Sequence, residues 1–172
     1  MIKITRPDEN EYPEYFGSYI SKISGDDLFK IFDDAHGQMT RVVVSLPEEK
    51  LNYRYAEGKW SIKEIIGHLI DTERVMSYRA LRFARFDNTP LMGFEENDWA
   101  KVSNASARIF DDLIDEFNLV RASTIMLFKS FDEKMISSSG EANKKQMSVR
   151  AIGYMIAGHE LHHLSVIKER YL

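Results

Sequence analysis

Ser61-Ile62-Lys63-Glu64-Ile65-Ile66-Gly67-His68-Leu69-Ile70-Asp71 is the stretch on which the reading of this chain turns. Ser61 followed three residues later by Glu64 forms a capping box, in which hydroxyl and carboxylate each satisfy a backbone N–H that the first helical turn leaves free. Ile62, Ile65 and Leu69, continued by Val75 or Met76 and by Leu81, recur at helical spacing with no proline among them. The pattern predicts a helix from Ser61 to about Phe86.

Three further stretches carry the same period. Upstream, Leu28, Ile31, Phe32, Ala35, Met39, Val42 and Leu46 form a stripe, capped at Gly25 or Asp26 and ended by Pro47. Before it, Met1 to Tyr12 reads as extended and Pro13 to Ile23 as a short helix carrying Phe16, Tyr19, Ile20 and Ile23, so that residues 1–25 form a lead-in. Pro47 to Trp60 reads as a loop. Downstream, Asn88, Pro90 and Gly93 mark a connection with a helical turn over Phe94–Trp99. A third helix then starts at Ser103 or Ser106 and reaches Phe131, with Ile109, Leu113, Phe117, Val120, Thr124 and Leu127 inward. Ser137 to Gln146 is a polar loop. Ser148 caps a fourth helix with Ile152, Met155, Ile156, His159, His163, Val166 and Ile167 in register. Four amphipathic helices imply an all-α four-helix bundle with additional short helices, one domain over 1–172. Two connections exceed minimal bundle turns, which leaves up-down-up-down topology open.

Composition narrows the function. Of 172 residues 44% are hydrophobic, enough for a continuous core, and the net charge of −4 argues against a nucleic-acid footprint. Arg79, Arg82 and Arg85 read as a solvated helix face. With no cysteine, disulfides, iron–sulfur clusters, thiolate zinc sites and a protein-borne thiol nucleophile are excluded. The N-terminus lacks a signal-peptide apolar region, and the most apolar window, Ala151 to Gly158, falls far short of the roughly 20 residues a membrane helix needs. A cytoplasmic protein with no membrane and no nucleic-acid partner is expected.

The chemistry lies in the five histidines, His36, His68, His159, His162 and His163. His159 and His163, four apart, share a helix face one turn apart and suit two imidazoles converging on one metal. His162 could replace His163 geometrically; His163 is preferred because it continues the apolar row through Met155 or Ile156 and Val166. His159-Glu160-Leu161-His162-His163 also matches the H-E-x-x-H pattern of zinc proteases, with Glu160 as general base. The extended form fails, since Val166 and Glu169 occupy its glycine and histidine positions, only nine residues follow His163, and no strand is available to align a peptide. A third ligand must come from elsewhere. His68 lies among apolar residues, where a core role is the ordinary one, but Gly67 would let another helix approach and Asp71 could orient the imidazole. His36, beside Asp33, Asp34, Gly37 and Gln38, reads as solvated.

Lys59-Trp60-Ser61-Ile62-Lys63-Glu64-Ile65-Ile66-Gly67-His68-Leu69-Ile70-Asp71-Thr72-Glu73-Arg74 resembles the first signature of the DinB/YfiT-like superfamily, and Gly158-His159-Glu160-Leu161-His162-His163 its second. The stretches Tyr78–Arg85, Pro90–Phe94 and Ser148–Ile152 resemble one subgroup of it, so the likeness runs from about Asp26 onward. The resemblance implies a four-helix bundle with a divalent metal on His68, His159 and His163, zinc or nickel first, with iron, manganese or cobalt as alternatives. Relatives include thiol S-transferases and a thiol-dependent isomerase, while many others go only by the designation metal-dependent hydrolase. The expected protein is therefore a metal-dependent enzyme, thiol transferase or hydrolase, acting on a small molecule. Its partners would be that substrate and a low-molecular-weight thiol, with a homodimer left open. A non-catalytic metal- or ligand-binding helical module is the competing class. No residue is assigned as catalytic acid or base.

Overall fold

The computed structural model describes residues 2–172. In chain order these form α1 (Glu14–Ile20), α2 (Leu28–Val44), α3 (Glu48–Leu51), α4 (Ile62–Ala84), α5 (Glu96–Val102), α6 (Phe110–Lys129), α7 (Glu133–Ser137), the strands β1 (Ser139–Ala142) and β2 (Lys145–Ser148), and α8 (Val149–Arg170), with 3-10 turns at Glu9–Glu11 and Ala105–Ala107. The long helices α2, α4, α6 and α8 form the bundle.

Local signals explain most boundaries. At α4, the Ser61 hydroxyl accepts from the Glu64 N–H at 3.3 Å while Glu64 accepts from the Ser61 N–H at 2.8 Å, the expected box. At α8, Ser148 accepts from the Ala151 N–H at 3.1 Å. The cap of α2 is Asp27, not Gly25 or Asp26; its carboxylate accepts from the Phe29 N–H at 3.2 Å. The third long helix starts at Phe110 rather than at a serine, because Asn104 turns the chain with φ +57° and Ser103 spends its hydroxyl on the Ala100 carbonyl. Ile109, expected inward, is 67% exposed. The loop read over Pro47–Trp60 contains α3, and the polar loop read over Ser137–Gln146 is mostly an antiparallel hairpin, closed by Asn143 and Lys144 at positive φ, as a tight two-residue turn demands.

The bundle is not up-down-up-down. Helix α4 packs on α6 and α8, and α2 packs on α8 and α6, so chain neighbours α2 and α4 lie across the bundle from each other, as do α6 and α8. Side-chain register gives the directions. Lys63 meets the Arg108 carbonyl, Glu73 meets Arg121 and Ser77 meets Thr124, so α4 and α6 run parallel. The chain leaving α4 must therefore return along its length before α6 begins. It does so through residues 85–109: the Met92 carbonyl accepts from Arg79, and the turn at Ala105 lies against Gly67. A Cβ on Gly67 would stand 3.0 Å from that of Ala105, so the close approach this glycine allows is by a 3-10 turn rather than a helix.

Two apolar clusters fill the interior, and each long helix passes from one to the other at a polar residue. Leu28 to Phe32 of α2 belong to the first and Met39 and Val43 to the second, with His36 between. In α4, Glu73 separates Ile70 from Met76; in α6, Arg121 and Thr124 separate Phe117 from Phe128; in α8, His159 and Glu160 separate Ala157 from Leu164. The bundle thus has a polar waist between two apolar halves, and the histidines lie in it.

Candidate metal centre

His68, on the second turn of α4, is brought against His159 and His163 of α8 from 91 residues away. Its Nε2 lies 3.1 Å from Nε2 of His159, which lies 3.1 Å from Nε2 of His163. His68 and His159 are buried and His163 half-buried. Gly158 explains how α8 is approached here: a Cβ would collide with the Tyr19 carbonyl, so glycine lets the end of α1 press beside His159. Tyr19 then packs edge-on to His159 and His162, both at 5.3 Å between ring centroids. Trp60, half-buried, covers the opposite side at 4.6 Å from the His68 ring.

Burial drives all three imidazoles toward neutrality. It pulls His68 down to about 4, and pulls His159 and His163 well below the ordinary histidine value, with the neighbouring histidines adding to the effect in both. A neutral imidazole can turn a lone pair toward a shared point by its choice of tautomer, and three facing Nε2 atoms able to do so fit a cation. An ion about 2.0–2.1 Å from each nitrogen would see two nitrogens 3.1 Å apart at roughly 100°, between the tetrahedral and octahedral angles. Among the described residues, these three make up the one group of histidines and carboxylates placed to share an ion. His162, the alternative to His163, instead turns toward Tyr19 and the cavity wall.

The residues around the three histidines differ from those the sequence suggests. Asp71 does not orient His68; Thr72 does, its Oγ1 lying 3.5 Å from Nδ1. Glu160 points away from the triad into the bundle, where it meets Arg121 at 2.8 Å. Arg121 also donates from Nε and Nη2 to both oxygens of Glu73, each at 2.9 Å, and from Nη1 to the Phe32 carbonyl. Burial works against the Arg121 charge, but the Glu160 and Glu73 carboxylates outweigh it and hold its pKa above the ordinary value. His36 is not solvated: its side chain is 16% exposed, Nδ1 lies 3.4 Å from Glu160 and Nε2 lies 2.8 Å from Asn118 Oδ1. This network escaped the sequence reading, although a signal was there. Glu73, Arg121 and Glu160 each interrupt an apolar stripe near its centre, and a buried charge requires a partner.

On its open side the triad forms one end of a cavity of about 500 Å³, walled by α4, α8, α1, the hairpin and the segment before α5. Along α4 it is lined by His68, Thr72, Met76, Arg79 and Phe83, one helical face. Arg79, read from sequence as solvated, is 8% exposed. Glu96 is the one carboxylate in the cavity wall.

Comparison with known proteins agrees with this geometry. A protein of Oceanobacillus iheyensis named "Putative metal-dependent hydrolase" is 26% identical over 144 residues, covering 76% of each chain. A protein of Geobacillus thermodenitrificans with the same name is 24% identical over 129 residues, covering 73% of this chain and 71% of its own. In structure the chain resembles YfiT from Bacillus subtilis, described as a probable metal-dependent hydrolase with an unusual four-helix bundle topology, at a TM-score of 0.74 and 14% identity over 95% of this chain and 90% of that one. It also resembles a mycothiol-dependent maleylpyruvate isomerase, at a TM-score of 0.68 and 13% identity over 80% of this chain and 58% of that one. Together with the three-histidine cluster, the relatives point to a divalent metal. Among the described residues no helix is long and apolar enough to cross a membrane. The profile of the DinB superfamily matches residues 31–167, and the chain belongs to that superfamily.

Proposed function

We propose that His68, His159 and His163 hold one divalent metal ion through Nε2, zinc or nickel in the first place, and that the protein is a metal-dependent enzyme acting on a small molecule. The observation that carries this reading is the convergence of three neutral imidazole nitrogens at the end of a cavity large enough for a small substrate. An ion held there supplies Lewis acidity, lowering the pKa of a coordinated thiol or water.

The chain's own residues favour a thiol as nucleophile. Hydrolysis calls for a base to manage the proton of water, and the carboxylate next to the ligands, Glu160, is committed to Arg121 on the far side of His159. A thiol is acidic enough to need no such base once its pKa is lowered. The sequence holds no cysteine, so that thiol arrives as a cosubstrate. Trp60 and Tyr19 flank the triad, and Thr72 steadies His68. The hydrolase names borne by the relatives favour a second reading, in which water takes the thiol's place.

Elemental analysis of protein purified without a metal-affinity tag, followed by a thiol-transfer screen with electrophilic small molecules before and after chelation, tests both parts. Expected are near one metal per chain and turnover that chelation abolishes and the ion restores. A chain that takes up no metal overturns the reading. Metal uptake with neither transfer nor hydrolysis leaves the binding module.

A further inference from the structure

Arg79 is a buried cation without a counter-charge. Its Nη2 donates to the Met92 carbonyl at 2.9 Å and its Nη1 lies 3.6 Å from Met76 Sδ, a weak acceptor. Among the described residues no carboxylate reaches it at ion-pairing distance, in contrast to Arg121, which has two. Burial alone pulls its pKa down, the mark of a charge taken from water with little in return. A guanidinium carries five N–H donors, and those left over border the cavity whose far end is the histidine triad. The same cavity is otherwise walled largely by apolar side chains, among them Met76, Phe83, Phe94 and Met155.

We propose that Arg79 is the anchor for a carboxylate on the small molecule that occupies this cavity, with the reacting end of that molecule at the histidines. A single guanidinium in an apolar wall suits a monoanionic carboxylate better than a phosphate, whose second charge would ask for another cation; Lys145, which also lines the cavity, is exposed. Helix geometry sets the span. The guanidinium folds back to the level of Met76, eight residues from His68, so roughly 12 Å of helix axis separates the two ends. An extended thiol with a chain of about six carbons, the carboxyl carbon included, fits that distance. The inference deepens the proposed function, on which the placement of the reacting end rests; the carboxylate site itself does not need the metal.

The test has two arms on the full chain, with wild type, Arg79→Lys and Arg79→Met compared. In the metal-free protein, hexanoate and hexanol are titrated by calorimetry. We expect hexanoate to bind about tenfold or more tightly than hexanol in wild type, partly so in Arg79→Lys and not at all so in Arg79→Met. In the cobalt-loaded protein, mercaptohexanoate and mercaptohexanol are followed by the visible spectrum. Both should perturb it, the carboxylate at about tenfold lower concentration in wild type, with a smaller advantage in Arg79→Lys and none in Arg79→Met. If neither thiol perturbs the spectrum, the thiol reading fails while the first arm still decides the carboxylate site. If wild type shows no carboxylate preference, or Arg79→Met retains it, the proposal is overturned, and Arg79 serves only to tie the Met92 carbonyl to α4. Should Arg79→Met not fold, Arg79→Lys decides: a weakened preference supports the proposal and an unchanged one overturns it.

Discussion

Two polar clusters meet at consecutive residues of α8 and are opposite in kind. Glu160 faces inward to a network in which Arg121 bridges two carboxylates, and the network is closed off in the bundle interior. His159 belongs to a set of imidazoles with no counter-charge, facing a cavity of about 500 Å³. The first cluster sets a buried cation between two carboxylates of the same chain, and its unpartnered atoms, both Glu160 oxygens and Nδ1 of His36, still lie beside groups of that cluster. The second holds no ion pair: its neutral ring nitrogens have only one another and Thr72 for company, at the end of a cavity from which a cation could complete them. Arg79 repeats that contrast within one cavity wall. The lesson is that burial of polar groups does not by itself mark function; incomplete pairing at a cavity does.

The comparison breaks first at Arg121. Replacing it by methionine keeps the volume but leaves Glu73 and Glu160 buried against each other, and breaking a buried ion pair from one side costs about 3–5 kcal/mol. Urea denaturation of the metal-free variant should show that loss, while the three histidines keep their places. A change under about 1 kcal/mol would mean the network is not the internal clamp described here.

Acid separates the clusters next. The folded state holds His68 near 4 against an ordinary value of 6.5, so the unfolded chain binds more protons below pH 6.5 and stability falls as pH drops from there toward 4. For His68 alone the full effect is about 3 kcal/mol at 1.36 kcal/mol per unit, and His159 and His163 act in the same direction. Denaturation midpoints of the metal-free protein should fall across that window. The loss should be smaller in His68→Ala, which no longer carries the His68 share.

Metal gives a third contrast. An ion bound to the folded state alone at a hundred times its dissociation constant stabilises by about 2.7 kcal/mol. Zinc or nickel should therefore raise the melting temperature of wild type, and chelator should reverse it. His68→Ala should lose most of this response, because one of the three proposed ligands goes, while retaining its helical circular dichroism. An unchanged metal response in that variant would separate His68 from the site.

The same contrast shows how much was legible in the sequence. Periodicity located all four long helices, and caps fixed the starts of two, Ser61 and Ser148 acting where the pattern puts them; α2 is capped by Asp27 instead of Gly25 or Asp26, and α6 starts without a serine cap. The pair His159 and His163 follows from helix geometry. His68 was not derivable from spacing, because its approach depends on which helices become neighbours, and the parallel course of α4 and α6 is a property of the long return segment rather than of any stripe. Arg79 and His36 were read as solvated because their sequence neighbours are charged or polar. Burial at those positions is imposed by the segment around Met92 and by α6, respectively.

The smallest expected effect is a control on the whole comparison. Ser148 caps α8 by accepting from the Ala151 N–H, eleven residues before His159, and a serine cap contributes about 1 kcal/mol. Ser148→Ala should lower the denaturation midpoint by that order, because one N-terminal N–H of the helix loses its partner. The triad sits three turns away on a helix held by α2 and α4 along its length, so its geometry should not change. Metal stoichiometry and affinity, measured by titration with a competing chromophoric chelator, should match wild type. If a loss of this size at the cap also weakens metal binding tenfold, then the site depends on global stability. The distinction drawn between the closed cluster and the open one would then not survive, since Arg121→Met would weaken metal binding for the same reason.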